Sequence, residues 1–163
     1  GADPAALMAA ACQNQGPPVD TSGQPNAYLD DRSTPETVIQ SLYNAINLKE
    51  YVRAYSYWQT NAPPFEQFQQ GYAATQLVTV TLGTSTVGAA AGNLYYTLPV
   101  TVQATTNDGR VEVFTGCYRL HLAQPQLQSP PFQPLGIDAA NIAQVSSDNG
   151  VPPPDPASCE VVS

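Results

Sequence analysis

NLYYTLPVTVQATTNDGRVEVFTGCYRLHL, residues 93–122, reads as one long β-hairpin whose two arms match face for face. On the first arm Leu94, Tyr96, Leu98, Val100 and Val102 alternate with Tyr95, Thr97, Thr101 and Gln103, the period of a strand with one buried face. On the second, Phe114, Tyr118, Leu120 and Leu122 fall on one side, and Thr115, Cys117, Arg119 and His121 on the other. The turn Asn107-Asp108-Gly109 decides whether these faces agree. A two-residue Asp-Gly loop sets Val102 opposite Thr115. A three-residue loop with Gly109 left-handed pairs Thr106 with Arg110 and Val102 with Phe114. The second register also matches Leu98 with Tyr118, Tyr96 with Leu120 and Leu94 with Leu122. Because a one-residue slip turns every apolar side chain to the wrong face, the three-residue loop is expected. Pro99 is the weak point, since it removes a ladder donor and can mark a bulge. Arms this long must curve around something.

Upstream the period is helical. Thr34 is placed to cap a helix, Pro35 suits its first turn and Glu36 favours the positive end of its dipole. Val38, Ile39, Leu42, Tyr43, Ala45 and Ile46 carry the stripe to about Leu48. Tyr51, Ala54, Tyr55 and Trp58 repeat it before Asn61-Ala62-Pro63-Pro64, and Phe65, Phe68 and Tyr72 mark a short third helix. Strands are expected over 77–82, 84–90 (weakly) and 133–145, with turns at Asp108-Gly109 and over 88–92. Helices first and antiparallel strands after define an α+β domain in which the helices cover one face of a strongly curved sheet.

The 163 residues suffice for one domain with a substantial core. Residues 1–28 are read as an N-terminal tail with a short helix near Pro4 to Cys12, 29–146 as the domain, and 147–163 as a Pro-rich C-terminal tail. Thirteen acidic against five basic residues give a net charge of −8, which opposes binding to nucleic acid or anionic lipid. Only 11% of residues are charged while Thr, Gln, Asn, Ser and Pro abound, a composition of exported proteins. Gly1 without a methionine points to a removed targeting sequence, and Ala9-Ala10-Ala11-Cys12 has the outline of a lipobox without the basic and apolar regions that precede one. Secretion or lipid anchoring outside the cytoplasm is the expectation. No stretch reaches the roughly twenty apolar residues of a membrane helix.

Cys12, Cys117 and Cys159 allow at most one internal disulfide, and with one histidine they match no zinc pattern. Cys117 falls on the outer face of the hairpin, where only a tail could reach it. Pairing with Cys159, or with Cys12, pins a tail across the sheet; three reduced thiols are the alternative.

The order of elements, with Thr34-Pro35-Glu36-Thr37-Val38-Ile39 opening the first helix, the run Tyr51 to Trp58, Phe65-Glu66-Gln67-Phe68 and the hairpin Leu94 to Leu122, resembles the nuclear transport factor 2-like superfamily, the cystatin-like α+β cone. The likeness covers about residues 29–146 and is one of layout more than of motif. It is closest in style to small extracellular bacterial modules. The resemblance implies a cone-shaped cavity between helices and concave sheet, which in ketosteroid isomerase, scytalone dehydratase and SnoaL-like cyclases holds the substrate, beside carboxylates or histidines acting as acids and bases. Fold alone does not carry that function over.

Tyr43, Tyr51, Tyr55, Trp58, Phe65, Phe68, Tyr72, Tyr96 and Tyr118 are candidates to line an aromatic pocket, although stripes of this kind more often make core. The expected inward positions of the hairpin hold no base, with Glu112 and His121 read as outside the cone and His121 as exposed. Asp138 is the weak catalytic candidate: burial beside apolar groups would suit it to proton transfer, but Ile137 and Ile142 flank it with opposite parity and leave its direction open. Asp30 and Asp31 are assigned to the helix dipole or solvent. No metal site, cofactor or nucleophile motif is indicated. The leading expectation is therefore a non-catalytic module that binds a small ligand or a protein. Its alternatives are a cofactor-free isomerase or dehydratase using Asp138, and a structural module that dimerises through Val111, Val113 and Thr115 on the outer sheet face.

Overall fold

The computed structural model describes residues 27–148 and 150–161; the expected helix at Pro4 to Cys12, the lipobox outline and Cys12 lie outside them. Among the described residues three helices come first: α1 (Pro35–Asn47), α2 (Tyr51–Tyr55) and α3 (Phe65–Gln70). Five antiparallel strands follow: β1 (Thr75–Leu82), β2 (Thr86–Ala90), β3 (Asn93–Thr106), β4 (Val111–Ala123) and β5 (Gly136–Val145). The sheet runs β1-β3-β4-β5, with β2 sharing the same edge of β3 as β1.

α1 starts where the sequence places it. The Thr34 hydroxyl accepts the Thr37 N–H at 3.1 Å while the Thr37 hydroxyl accepts the Thr34 N–H at 3.1 Å, satisfying donors that a helix start leaves open. Its apolar stripe, Val38, Ile39, Leu42, Ala45 and Ile46, is buried against the sheet. At its end the Asn47 side chain bonds both the N–H and the carbonyl of Val78, at 2.7 and 2.8 Å, and docks the helix on β1. α2 is shorter than its aromatic stripe suggests. The chain leaves it after Tyr55, and Trp58 forms a parallel bridge to Ile137. This bridge outcompetes a further helical turn because Gln59 donates to the Ile137 carbonyl and Ile137 to that of Tyr57, at 2.7 and 2.8 Å.

The hairpin adopts the three-residue register. Val102 faces Phe114, Leu98 faces Tyr118, Tyr96 faces Leu120 and Leu94 faces Leu122. The Thr106 N–H meets the Arg110 carbonyl at 2.8 Å, and Gly109 has φ of 88°. Pro99 sits opposite Cys117 without a register shift. Its missing donor is harmless because β1 ends beside it at Leu82, leaving only the Pro99 carbonyl to be met, by the Gly83 N–H at 2.8 Å. The turn expected over 88–92 is tighter: Gly88 pairs with Tyr95 inside β2, and the reversal is Ala91-Gly92, both at positive φ.

β5 carries one irregularity that sets its geometry. Arg119 pairs with Ala139 and Leu120 with Ile137, so Asp138 is an extra residue bulged out of the ladder. Ile137 is fully buried on the concave side, and beyond the bulge Ile142 returns to that side, which accounts for their opposite parity. Opposite this strand Gly116 admits no side chain, since a Cβ would come within 2.0 Å of the Asn141 carbonyl oxygen.

The outer face is covered in part by the chain's own end. Cys117 and Cys159 are joined, the Thr101 hydroxyl donates to the Pro152 carbonyl at 2.9 Å, and a 3-10 turn, Pro156–Val161, lies over β3 and β4. Of the residues on which outer-face dimerisation was to rest, Val113 is buried within this chain and Val111 remains exposed. Because the bridge spans 42 residues, chain-entropy reasoning gives it about 4 kcal/mol, within the usual few kcal/mol for such links. Cys159→Ser is expected to lower stability by about 2–4 kcal/mol, read as a lower urea midpoint. An unchanged midpoint would show that the tail holds without the bond.

Candidate functional site: an open aromatic cavity

Between α1, α3 and the concave sheet lies a cavity of about 410 Å³, in the range of small-molecule sites. Its floor is made by buried side chains: Tyr43 of α1, Phe68 of α3, Val78 of β1, Val102 and Ala104 of β3, and Tyr118 of β4. Tyr72, Phe114 and Ile142 form half-buried walls, and the exposed Gln67, Gly71 and Ala140 mark where it opens to solvent. Strand alternation explains the set, because Val102, Ala104, Phe114 and Tyr118 share the parity of the core residues Leu98 and Leu120.

Of the aromatic candidates, the structure brings Tyr43, Phe68, Tyr72 and Tyr118 together around the cavity and keeps Tyr55, Trp58 and Tyr96 out of its lining. Tyr55 supports it from behind. Its ring meets Phe65 and Phe68 edge-on at 5.3 and 5.5 Å, and its hydroxyl donates to the Pro63 carbonyl at 2.7 Å. Phe68 continues the series to Tyr72 at 5.5 Å. Such edge-to-face contacts fix ring orientation as well as adding apolar burial. Trp58 closes a different part of the core beside Ile137; its Nε1 is buried and, among the described residues, has no partner. Tyr96 packs half-buried on the core between Val87 and Leu120. Tyr51 likewise stays outside the cavity lining.

At the floor the hydroxyls of Tyr43 and Tyr118 hydrogen-bond to each other at 2.5 Å. Burial, which penalises a phenolate, drives both well above the ordinary tyrosine value, and for Tyr43 its neighbours Tyr118 and Tyr72 add to the rise. Burial alone pushes Tyr72 up to about 12. All three phenols therefore stay protonated at neutral pH and act as hydrogen-bonding groups, not as bases.

Glu112 corrects the sequence reading, which put it outside. It lies half-buried in the lining of the cavity, paired with Ala104 and two residues from Phe114 on the same face. The signal was present in the alternation itself, since 112 shares the parity of 114, 118, 120 and 122. Among the described residues no hydrogen bond or ion pair engages its side chain.

Asp138 is absent from the cavity. The bulge turns it to the outer face, where Arg119 donates to its carboxylate from Nε and Nη2 at 2.9 and 2.5 Å and the Thr60 hydroxyl adds a third bond. Burial raises its pKa, but the bonds from Thr60 and Arg119 and the Arg119 and His121 fields outweigh that and hold it below the ordinary 3.8. His121, expected to be exposed, is half-buried: it stacks on Tyr95 at 4.9 Å between the side-chain oxygens of Gln59 and Asn93, at 2.6 and 2.7 Å. Asp30, which is exposed, and Asp31 make their bonds from the segment before α1. Asp30 accepts from the Tyr57 hydroxyl at 2.7 Å and from Arg32, and Asp31 accepts from Ser33. No group of histidines, cysteines and carboxylates among the described residues is arranged to hold a metal.

No protein-family model matches this chain, and no curated protein matches it. Solved structures do. A protein from Novosphingobium aromaticivorans DSM 12444 named "Putative Scytalone Dehydratase" aligns with a TM-score of 0.50 at 6% identity, covering 74% of this chain and 89% of that one. The Kfla4162 protein from Kribbella flavida aligns with a TM-score of 0.51 at 11% identity, covering 71% and 91%. At these identities the likeness is one of fold. The chain shares their α+β cone fold, with three helices against a five-stranded antiparallel sheet among the described residues.

The Asp138–Arg119 pair gives a pH test with a definite sign. A carboxyl held below its unfolded value contributes stability that is complete above 3.8 and fades as pH falls through its folded value. Asp138→Asn is therefore expected to cost about 1 kcal/mol at neutral pH, with the gap to wild type closing under acid. Denaturant titrations at several pH values measure it; a gap constant down to strong acid would contradict the assignment.

Proposed function

We propose that this chain is an extracytoplasmic, non-catalytic module that binds a small, largely apolar molecule in the cone cavity. The observation that carries the reading is the cavity itself: about 410 Å³, open at one side, walled by Phe68, Tyr72, Phe114, Tyr43 and Tyr118, with no base at its floor. An aromatic wall binds flat apolar ligands by burial and ring contact. General acid-base catalysis, typically worth about a hundred- to ten-thousand-fold, needs a titratable group within hydrogen-bond reach of the reacting atom. The sequence candidate for that role, Asp138, is tied to Arg119 on the opposite face. The polar, charge-poor composition and the Cys117–Cys159 bridge support a site outside the cytoplasm, where disulfides persist.

Glu112 is the specific observation behind a second reading, a cofactor-free isomerase or dehydratase in which it takes a proton while a tyrosine hydroxyl holds the substrate. The name carried by the Novosphingobium protein is of that kind. Turnover of a steroid-like or polyketide-like compound that Glu112→Gln abolishes would establish this reading in place of ours.

Binding is tested with tryptophol, a neutral flat alcohol, by calorimetry. Saturable binding at one site per chain is expected, and Ala104→Phe, which fills the floor, should abolish it. Because overpacking commonly costs about 1–3 kcal/mol, Ala140→Trp at the rim serves as a milder block. Absence of saturable binding to the wild-type chain would overturn the proposal.

A further inference from the structure

We propose that the ligand of this cavity is an organic cation: a flat apolar body lodged among Phe68, Tyr72 and Phe114, bearing an ammonium group that meets Glu112 at the lining. The inference rests on the reading of the cavity as a binding site and adds the sign of the ligand's charge.

Glu112 is the single charged side chain among the lining residues. Every other polar side chain there is neutral: Gln67, Thr75 and the three tyrosines. Its half-buried carboxylate has no partner among the described residues, whereas the half-buried Asp138 of the outer face has three bonds. A partly desolvated carboxylate that the protein leaves uncompensated attracts a cation more strongly than one in open water, because the surrounding dielectric is lower. Aromatic faces around it add to the same preference through their quadrupoles, which draw cations and repel anions.

The chain also lacks the means to bind an anion here. The four arginines pair with carboxylates outside the cavity, and Lys49 is held by the backbone of Thr75 at the cavity's edge. Lys49 donates to the Thr75 carbonyl at 2.7 Å, Arg32 pairs with Asp30, Arg53 with Glu50, Arg110 with Asp108 and Arg119 with Asp138. None of the five lines the cavity. At the floor the hydrogen bond between Tyr43 and Tyr118 leaves at most one free phenolic proton for an incoming acceptor. A net charge of −8 sets the long-range field in the same direction, favouring the approach of cations over anions.

Three probes that share an indole body but differ in charge read this directly by calorimetry at neutral pH: tryptamine as the ammonium, tryptophol as the alcohol and indolepropionate as the carboxylate. Tryptamine is expected to bind about tenfold more tightly than tryptophol, with indolepropionate the weakest. Glu112→Gln should remove the preference, so that the variant binds tryptamine and tryptophol with affinities within about twofold of each other. Gln keeps the size of Glu, and a urea midpoint close to that of the wild type reports that the variant folds. A wild-type protein that binds tryptamine no better than tryptophol, or a preference that survives Glu112→Gln, would overturn the inference while leaving the cavity as a binding site. Failure of tryptophol and tryptamine alike would remove the underlying reading as well.

Discussion

The pairing of Val102 with Phe114 and of Leu98 with Tyr118 is the constraint on which both faces of this molecule depend. Strand parity leaves no independent choice: the register that sends Leu98, Tyr118 and Leu120 toward the helices sends Thr101 and Cys117 the other way. The first set makes the core and the cavity floor. The second receives the C-terminal segment, through the Thr101 bond to Pro152 and the bridge to Cys159. A slip of one residue would bury Cys117 among the helices and expose Tyr118, removing the floor and the anchor of the tail together. Gly109 at φ 88° is the local residue that makes the three-residue turn accessible, since a side chain would be strained there.

A second constraint acts on β5 alone. Without an extra residue at Asp138, Ile137 and Ile142 could not both face the concave side, and one of them would reach solvent. The bulge solves this by expelling an aspartate, and the outer face receives it because Arg119 stands beside the gap, itself lying over the Tyr95 ring at 5.2 Å. The same strand is fixed at its start by the bridge from Trp58 and by Gln59, whose amide donates to the carbonyls of His121 and Pro134. The connection after α2 is thereby drawn into the sheet.

How far the sequence reveals this depends on the range of each interaction. The cap at Thr34, the helical stripe of α1 and the face-matched arms of β3 and β4 are set by neighbours in sequence or by strict alternation, and each is legible residue by residue. The end of α2 is not: Tyr55 and Trp58 keep helical spacing, and only a bridge to Ile137, far along the chain, turns the backbone away. Asp138 was undecidable for the same reason, since a bulge is recognised from its partner strand. Arg53 was missed altogether. It collects the carbonyl of Leu29, the Asn44 and Tyr57 side chains and Glu50 at 2.6 to 2.9 Å, joining α1, α2 and the segment before them, and no motif announces such a hub. Glu112 is the opposite case, because its parity with Phe114 was readable from the start.

The proposed binding role draws on how the cavity gathers its polar groups. Its deep phenols are bonded to each other and kept protonated by burial, so they offer hydrogen bonds without taking protons. Its one acidic side chain stands in the lining, two residues along β4 from Phe114, in a chain whose arginines all pair with carboxylates outside the cavity. A catalytic cone needs its base and its hydrogen-bond donors converging on one reacting atom from a fixed distance. The proposed recognition of a ligand needs an apolar body site and a charge of one sign along it, and the residues proposed for both alternate down two adjacent strands. The arrangement thus follows from the hairpin register: the parity that builds the floor from Val102, Ala104 and Tyr118 also carries Glu112 onto the concave face, into the same lining as the aromatic wall.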